Sequence, residues 1–148
     1  MSDPRELYQA VILEHNKKPR NFGRLDACTH HADGHNPLCG DRLELFLNVE
    51  DGRIVDIRFD GAGCAIDVAS ASLMTGAVKG RTVEEAQTMA GEFRALVRGE
   101  LDPASPHHLG KLTLFEGVKN LPVRVKCAVL PWATLSSALK GETQASTE

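Results

Sequence analysis

Leu43-Glu44-Leu45-Phe46-Leu47-Asn48-Val49 runs into Glu50-Asp51-Gly52-Arg53 and out again through Ile54-Val55-Asp56-Ile57-Arg58-Phe59. Aliphatic residues at 43, 45, 47 and 49 alternate with Arg42, Glu44, Phe46 and Asn48. A period of two is that of a strand with one buried face. Asp-Gly supplies the two positive-φ positions of a tight hairpin turn. The stretch therefore predicts an antiparallel hairpin with its leucine face turned inward.

Upstream, Asn36-Pro37-Leu38-Cys39-Gly40-Asp41 is a turn signal leading into the first strand. It sets a thiol and a carboxylate two residues apart, so in extended backbone they point to one side. Cys28 to His35 reads as a weak strand at a sheet edge. Earlier still, Asp3-Pro4 opens a helix as N-cap and first helical residue. Leu7, Tyr8, Val11, Ile12 and His15 recur along it at helical spacing. Lys17-Lys18-Pro19 ends it, and residues 19–25 form a connector.

Downstream, Asp60-Gly61-Ala62-Gly63 lets the chain turn before a run of small residues, Ala65, Ala69, Ser70, Ala71 and Ser72. That run predicts a helix packed closely on the sheet to about Thr75, stopped by Lys79-Gly80. Thr82 and Glu85 have capping-box spacing. A helix to about Met89 and a short one over 93–97 are expected next. Residues 98–108, with Gly99, Pro103, Ser105 and Pro106, read as a loop insertion. Residues 109–115 form a short element of ambiguous type, and 117–122 a turn. Pro122 opens a last helix carrying Val125, Val129, Trp132, Leu135 and Leu139, with a kink expected at Pro131. Residues 141–148 read as a flexible polar tail.

The chain has 148 residues, a net charge of -3 and 42% hydrophobic content, which predicts one globular domain over 1–140. Lys and Arg are scattered, so a nucleic-acid partner is not expected. No apolar run approaches the roughly 20 residues of a membrane span, and the polar, acidic N-terminus does not read as a signal peptide. A cytoplasmic location follows as the expectation. In that reducing setting the four cysteines point to metal or redox chemistry in place of a disulfide framework.

Cys39, Asp41, Cys64 and Cys127 are read as closing on one metal or sulfur centre. Cys64 lies where a strand meets the start of a helix, whose amides stabilise thiolate and lower its pKa. Cys127 falls on the last helix. Arg124, three residues earlier, brings a guanidinium to the same face, and Lys126 adds charge. Three thiolates suit zinc or an iron–sulfur cluster. The carboxylate is the harder partner, which suits a centre that gives up a ligand. Each residue also has a plainer reading: Cys64 as a small core residue, Cys127 as a buried helix thiol, Asp41 as a turn or cap residue, Arg124 as a solvated charge. Cys28 sits in no motif. His30, His31, His35, His107 and His108 read as surface or half-buried histidines, with His35 the one near enough in sequence to Cys39 to serve as a ligand.

Several of these motifs together resemble the U-type iron–sulfur cluster assembly proteins. They are Leu7-Tyr8 with Val11-Ile12-Leu13-Glu14-His15, Pro19-Arg20-Asn21, Asn36 to Asp41, Gly61 to Ile66 leading to Ala69-Ser70-Ala71-Ser72, and Arg124-Val125-Lys126-Cys127-Ala128. The chain looks like the SufU branch of that family. The IscU branch has histidine directly before its last cysteine, where this chain has Lys126, and the SufU branch carries an insertion in the region of residues 98–108. The resemblance implies an α+β single domain with a small three-stranded antiparallel sheet against several helices. It implies zinc on Cys39, Asp41, Cys64 and Cys127, and a SufS-type cysteine desulfurase, itself a pyridoxal-phosphate enzyme, as the sulfur donor. It further implies Cys39 as sulfur acceptor.

The expected function is thus a sulfur relay. Zinc holds Cys39 until the desulfurase docks, and Arg124 stabilises the charge on thiolate or persulfide. The alternative is a scaffold that assembles a transient iron–sulfur cluster on the same ligands and passes it to apo-acceptors. A zinc hydrolase fits less well, because four protein ligands leave no open position for water. A purely structural zinc module is the remaining reading.

Overall fold

The computed structural model describes residues 4–37 and 40–146, with side chains from Tyr8 onward. In chain order the elements are α1 (Pro4–Lys17), β1 (His30–Asn36), β2 (Asp41–Glu50), β3 (Arg53–Ala62), α2 (Ala65–Val78), α3 (Val83–Val97), a 3-10 helix (Gly110–Val118), α4 (Pro122–Leu139) and β4 (Gln144–Ser146). They form an α+β domain in which helices cover one face of a sheet. The Asp3 N-cap falls outside the described residues.

The hairpin forms as its alternation requires. Asp51 and Gly52 both take positive φ, 52° and 76°, the left-handed pair of a two-residue turn. Leu45 pairs with Phe59 and Leu47 with Ile57, and these four are buried. Phe46 points to the opposite face yet is also buried, covered by the His31 ring and the Arg24 guanidinium, each 4.9 Å from its centroid.

The sheet differs from the three-stranded antiparallel expectation. It has four strands in the order β3-β2-β1-β4, and β4 runs parallel to β1. β1 is therefore an interior strand, and residues 144–146 of the expected tail form the edge. Gly141 takes a φ of 82° after α4 and turns the chain back, so that Thr143 accepts the Asp33 amide at 2.8 Å. Three residues, Gln-Ala-Ser, are too few and too polar to show a strand period. α3 is one continuous helix, not two pieces. Gly91 lies on its exposed side, and the buried stripe Ala86, Met89, Ala90, Phe93, Leu96 and Val97 continues across it. Packing of that stripe outweighs the roughly 1 kcal/mol that glycine costs a helix.

α2 and α4 lie against the sheet and each other, and both approaches depend on small residues. The Ser70 hydroxyl of α2 donates to the Ala128 carbonyl of α4 at 2.6 Å. On the sheet side, Gly34 of β1 faces α4. A Cβ there would collide with the Thr134 hydroxyl and come within 3.2 Å of Leu130. α4 runs through Pro131 without a break, and the Thr134 hydroxyl donates to the Leu130 carbonyl. Among the described residues no helix is long and apolar enough to cross a membrane.

Gly34→Ala is expected to destabilise the domain by about 1–3 kcal/mol, the usual cost of overpacking a closed interior contact. Urea denaturation of the two proteins checks this, and an unchanged midpoint would show that α4 can shift aside freely.

Candidate metal centre

Asp41 opens β2 at the end of the turn that follows β1. The Asn36 carbonyl accepts the Gly40 amide at 2.9 Å, and Gly40 takes a φ of 73° to close that turn. Leu38 and Cys39 lie outside the described residues, and so do the expectations that rest on Cys39. Asp41 itself is 3% exposed. Its Oδ1 accepts the backbone amide of Cys64 at 3.0 Å, which ties the start of β2 to the start of α2. Its Oδ2 is buried and has no hydrogen-bond partner among the described residues.

Cys64 is the N-cap residue of α2 and is half-buried. The amides of Ile66 and Asp67 at the start of the helix donate to its sulfur, and Cys127 lies within hydrogen-bonding reach of it. The sequence suggested that this setting lowers the pKa of the thiol. The balance runs the other way. Burial pushes the Cys64 thiol up and outweighs the amides and Cys127, while the Asp41 carboxylate pushes it further up. Desolvation of a thiolate in this pocket costs more than two helix amides return.

Cys127 is completely buried on α4, one residue before the carbonyl gripped by Ser70. The oxygen of Asp41 and the sulfurs of Cys64 and Cys127 all lie within 4.8 Å of one another. These three residues are distant in sequence and come from three elements. Two soft donors and one hard donor at this separation can hold a divalent, thiophilic cation such as zinc. The orphaned Asp41 Oδ2 is the kind of buried polar atom that a cation would satisfy.

Asp67 is a residue the sequence reading passed over. It is 2% exposed on the first turn of α2, three residues after Cys64 and so on the same helix face. Its Oδ1 has no hydrogen-bond partner among the described residues. A Cβ on Gly63 would collide with its Oδ2 and lie 3.2 Å from the Asp41 carboxyl carbon, so glycine at 63 is what admits both carboxylates. Burial first, and the Asp41 charge second, raise the pKa of Asp67 from 3.8 to about 8. An acidic residue in a first helical turn ordinarily serves the helix dipole in water. Its only unusual feature in sequence is its spacing from Cys64.

The remaining candidates separate from this cluster. Arg124 is exposed in the first turn of α4, and its charge acts on Tyr8. Tyr8, half-buried, packs edge-on against Phe115 at 6.2 Å and feels the charge of Cys64 as well as that of Arg124. Cys28 is exposed. His35 is exposed on β1, opposite Arg42, and is not in the group. His108 pairs with Glu92 at 3.1 Å. His31 has Asp33 and Glu44 close by, but Glu44 already holds Arg24 at 3.0 Å.

Residues 7–128 match the family described as NifU-like N terminal domain. The chain is 40% identical over 140 residues to the iron–sulfur cluster assembly scaffold protein IscU of Streptococcus pyogenes serotype M1, covering 95% of this chain and 87% of that protein. It is 39% identical over 137 residues to the zinc-dependent sulfurtransferase SufU of Bacillus subtilis, covering 92% and 91%. Among solved structures, the iron–sulfur cluster assembly scaffold protein for the SUF system from Fervidobacterium islandicum aligns with a TM-score of 0.82. Its identity is 35%, covering 87% of this chain and 93% of that one.

The position of Asp67 sets a pH dependence for the metal-free protein. Its folded-state pKa lies above its unfolded value, so between about pH 4 and about pH 8 the folded state binds the extra proton. Stability is expected to fall as pH rises through that window and to level off above it. Asp67→Asn should flatten this slope. Urea denaturation at pH 5, 6.5 and 8.5 checks it, and parallel curves for the two proteins would contradict it.

Proposed function

The chain belongs to the NifU-like N-terminal domain family, which includes the iron–sulfur cluster assembly proteins IscU and SufU, and we propose that within it this protein is a zinc-binding sulfur relay. The observation that carries this reading is the convergence of Asp41, Cys64 and Cys127 to within 4.8 Å. Cys39, two residues before Asp41 in sequence, completes a four-ligand set. Zinc bound there supplies charge that keeps buried thiols as thiolates, against the desolvation that otherwise raises the Cys64 pKa.

In this reading the partner is a SufS-type cysteine desulfurase carrying a persulfide. Zinc, when bound, would be held by Cys39, Asp41, Cys64 and Cys127 and would favour the thiolate form of their sulfurs; the Cys39 thiolate attacks the outer sulfur of that persulfide. A sulfur–sulfur bond forms on Cys39, the bond to the enzyme's cysteine breaks, and that cysteine departs as thiolate. No electrons are gained or lost overall. Asp41, Cys64 and Cys127 keep their places because each sits on a strand or helix tied to the others. Arg124, exposed beside Tyr8, supplies positive charge at the rim for the incoming persulfide. Lys126 stands where the IscU branch has histidine, which favours the relay over cluster assembly. The same donors can take an iron–sulfur cluster as cargo, and the Streptococcus relative's name supports that second reading.

Purification without oxygen separates the two. Tightly held zinc, stimulation of the desulfurase, and labelled sulfur on Cys39 by mass spectrometry are expected. Cys39→Ala should abolish sulfur acceptance, and Cys127→Ala should lose the metal. Stoichiometric iron and sulfide with cluster absorbance would favour the scaffold. Normal labelling of Cys39→Ala would refute the relay assignment.

A further inference from the structure

We propose that His31, Asp33 and Glu44 form a second cation site, on the outer face of the sheet, for a divalent first-row metal ion such as zinc or ferrous iron. The site shares no residue with the group of Asp41, Cys64 and Cys127 and does not depend on it.

Strand register builds it. His31 and Asp33 are two residues apart on β1 and so lie on one face. Glu44 of β2 stands directly opposite Asp33. Asp41, three residues before Glu44 on the same strand, belongs to the opposite face. β1 is an interior strand between β2 and β4, and the Asp33 amide donates to the Thr143 carbonyl at 2.8 Å. The backbone under the site is therefore held from both sides. The His31 ring is held by its packing on Phe46.

The donor atoms have the spacing of ligands to a common ion. One from each residue lies within 4.8 Å of the others. His31 Nε2 is 3.4 Å from Asp33 Oδ1 and 3.7 Å from Glu44 Oε2. Both separations exceed the roughly 2.7–3.2 Å of an N–H···O hydrogen bond. Zinc bonds of about 2.0–2.2 Å at tetrahedral angles set neighbouring ligand atoms about 3.3–3.6 Å apart. Asp33 and Glu44 are also like charges directly across a strand pair, which costs stability unless a cation lies between them. Arg24 meets Glu44 Oε2 at 3.0 Å. An ionised carboxylate has about four lone-pair sites, so this contact leaves positions for a metal. It also orients the carboxylate, as outer partners do around metal sites. One imidazole and two carboxylates, without sulfur, suit zinc or ferrous iron over softer ions. All three side chains are partly exposed, so water completes the coordination.

Manganese(II) is the probe, because it takes nitrogen and oxygen donors and matches thiolates poorly. Loss of its free-ion paramagnetic resonance signal on adding protein measures binding. The wild type should bind an ion tighter than about 1 mM, the weak end for protein cation sites. Excess zinc should release it, since zinc stands above manganese in the divalent series. Outer partners alone are worth about 10- to 100-fold in metal affinity, so loss of a ligand in His31→Gln or Asp33→Asn should weaken binding at least about 10-fold. Far-UV circular dichroism verifies folding, and either variant suffices if the other does not fold. Manganese binding at wild-type affinity in a folded variant overturns the site. So does a wild type that binds no manganese, which leaves His31 as an ion-pair partner of the two carboxylates only. Manganese that excess zinc does not release overturns the assigned class of ion.

Discussion

The close approach of α2 to α4 is the constraint on which the centre depends. Ala69, Ser70, Ala71 and Ser72 are fully buried; Ser70 faces α4 and its hydroxyl reaches the Ala128 carbonyl, while Ser72 faces His15 of α1. Cys64 stands at the N-terminal end of one helix and Cys127 lies next to the gripped carbonyl of the other. Sulfurs separated by more than sixty residues therefore meet. Gly34 performs the same service on the sheet side by admitting Thr134 and Leu130. Asp41 closes the arrangement by accepting the Cys64 amide at 3.0 Å. Strand, helix start and second helix are thus fixed to one another before any ion enters.

This arrangement is costly without a cation. Polar atoms taken out of water need partners, and among the described residues Asp41 Oδ2 and Asp67 Oδ1 have none. The Cys64 thiol is held above its usual range, chiefly by burial. Other buried polar groups find partners. His15 is buried, but its Nδ1 meets the Ser72 hydroxyl at 2.6 Å, and the same oxygen accepts the Arg20 amide at 2.7 Å. Trp132, Phe93, Phe115 and Tyr8 form a run of stacked and edge-on rings from the core toward the centre. Arg94 Nε and Trp132 Nε1 are also buried without a hydrogen-bond partner among the described residues, but only at the centre do two such oxygens belong to neighbouring carboxylates, which is the pattern expected where stability gives way to function.

Much of this was legible in the sequence because the signals were local. The hairpin declared itself by alternation around Asp51-Gly52, α3 by its capping box, and α4 by Pro122 at its first turn. The spacing of Cys39 and Asp41 and the positions of Cys64 and Cys127 marked the candidate site. Features decided by tertiary contact were not legible. β4 is three residues, Gln-Ala-Ser, placed by the open edge of β1 and by Ala145 packing against the core. α3 continues through Gly91 because of a buried stripe on its far side. Phe46 looked solvent-facing until His31 and Arg24 covered it. Asp67 carries no local signal beyond that of an acid in a first helical turn. Its burial follows from Gly63 and from Asp41, which is twenty-six residues distant.

Asp41, Cys64 and Cys127 are held in different ways. Asp41 is fixed by the amide it accepts from Cys64, Cys64 by its place at the start of α2, and Cys127 by burial in α4 beside the carbonyl that Ser70 grips. Asp67 is buried next to Asp41 across Gly63, which is costly in the metal-free domain. Positive charge brought to the neighbouring donors would ease that cost, so the carboxylate pair couples cation binding to the stability of the helix start that carries Cys64.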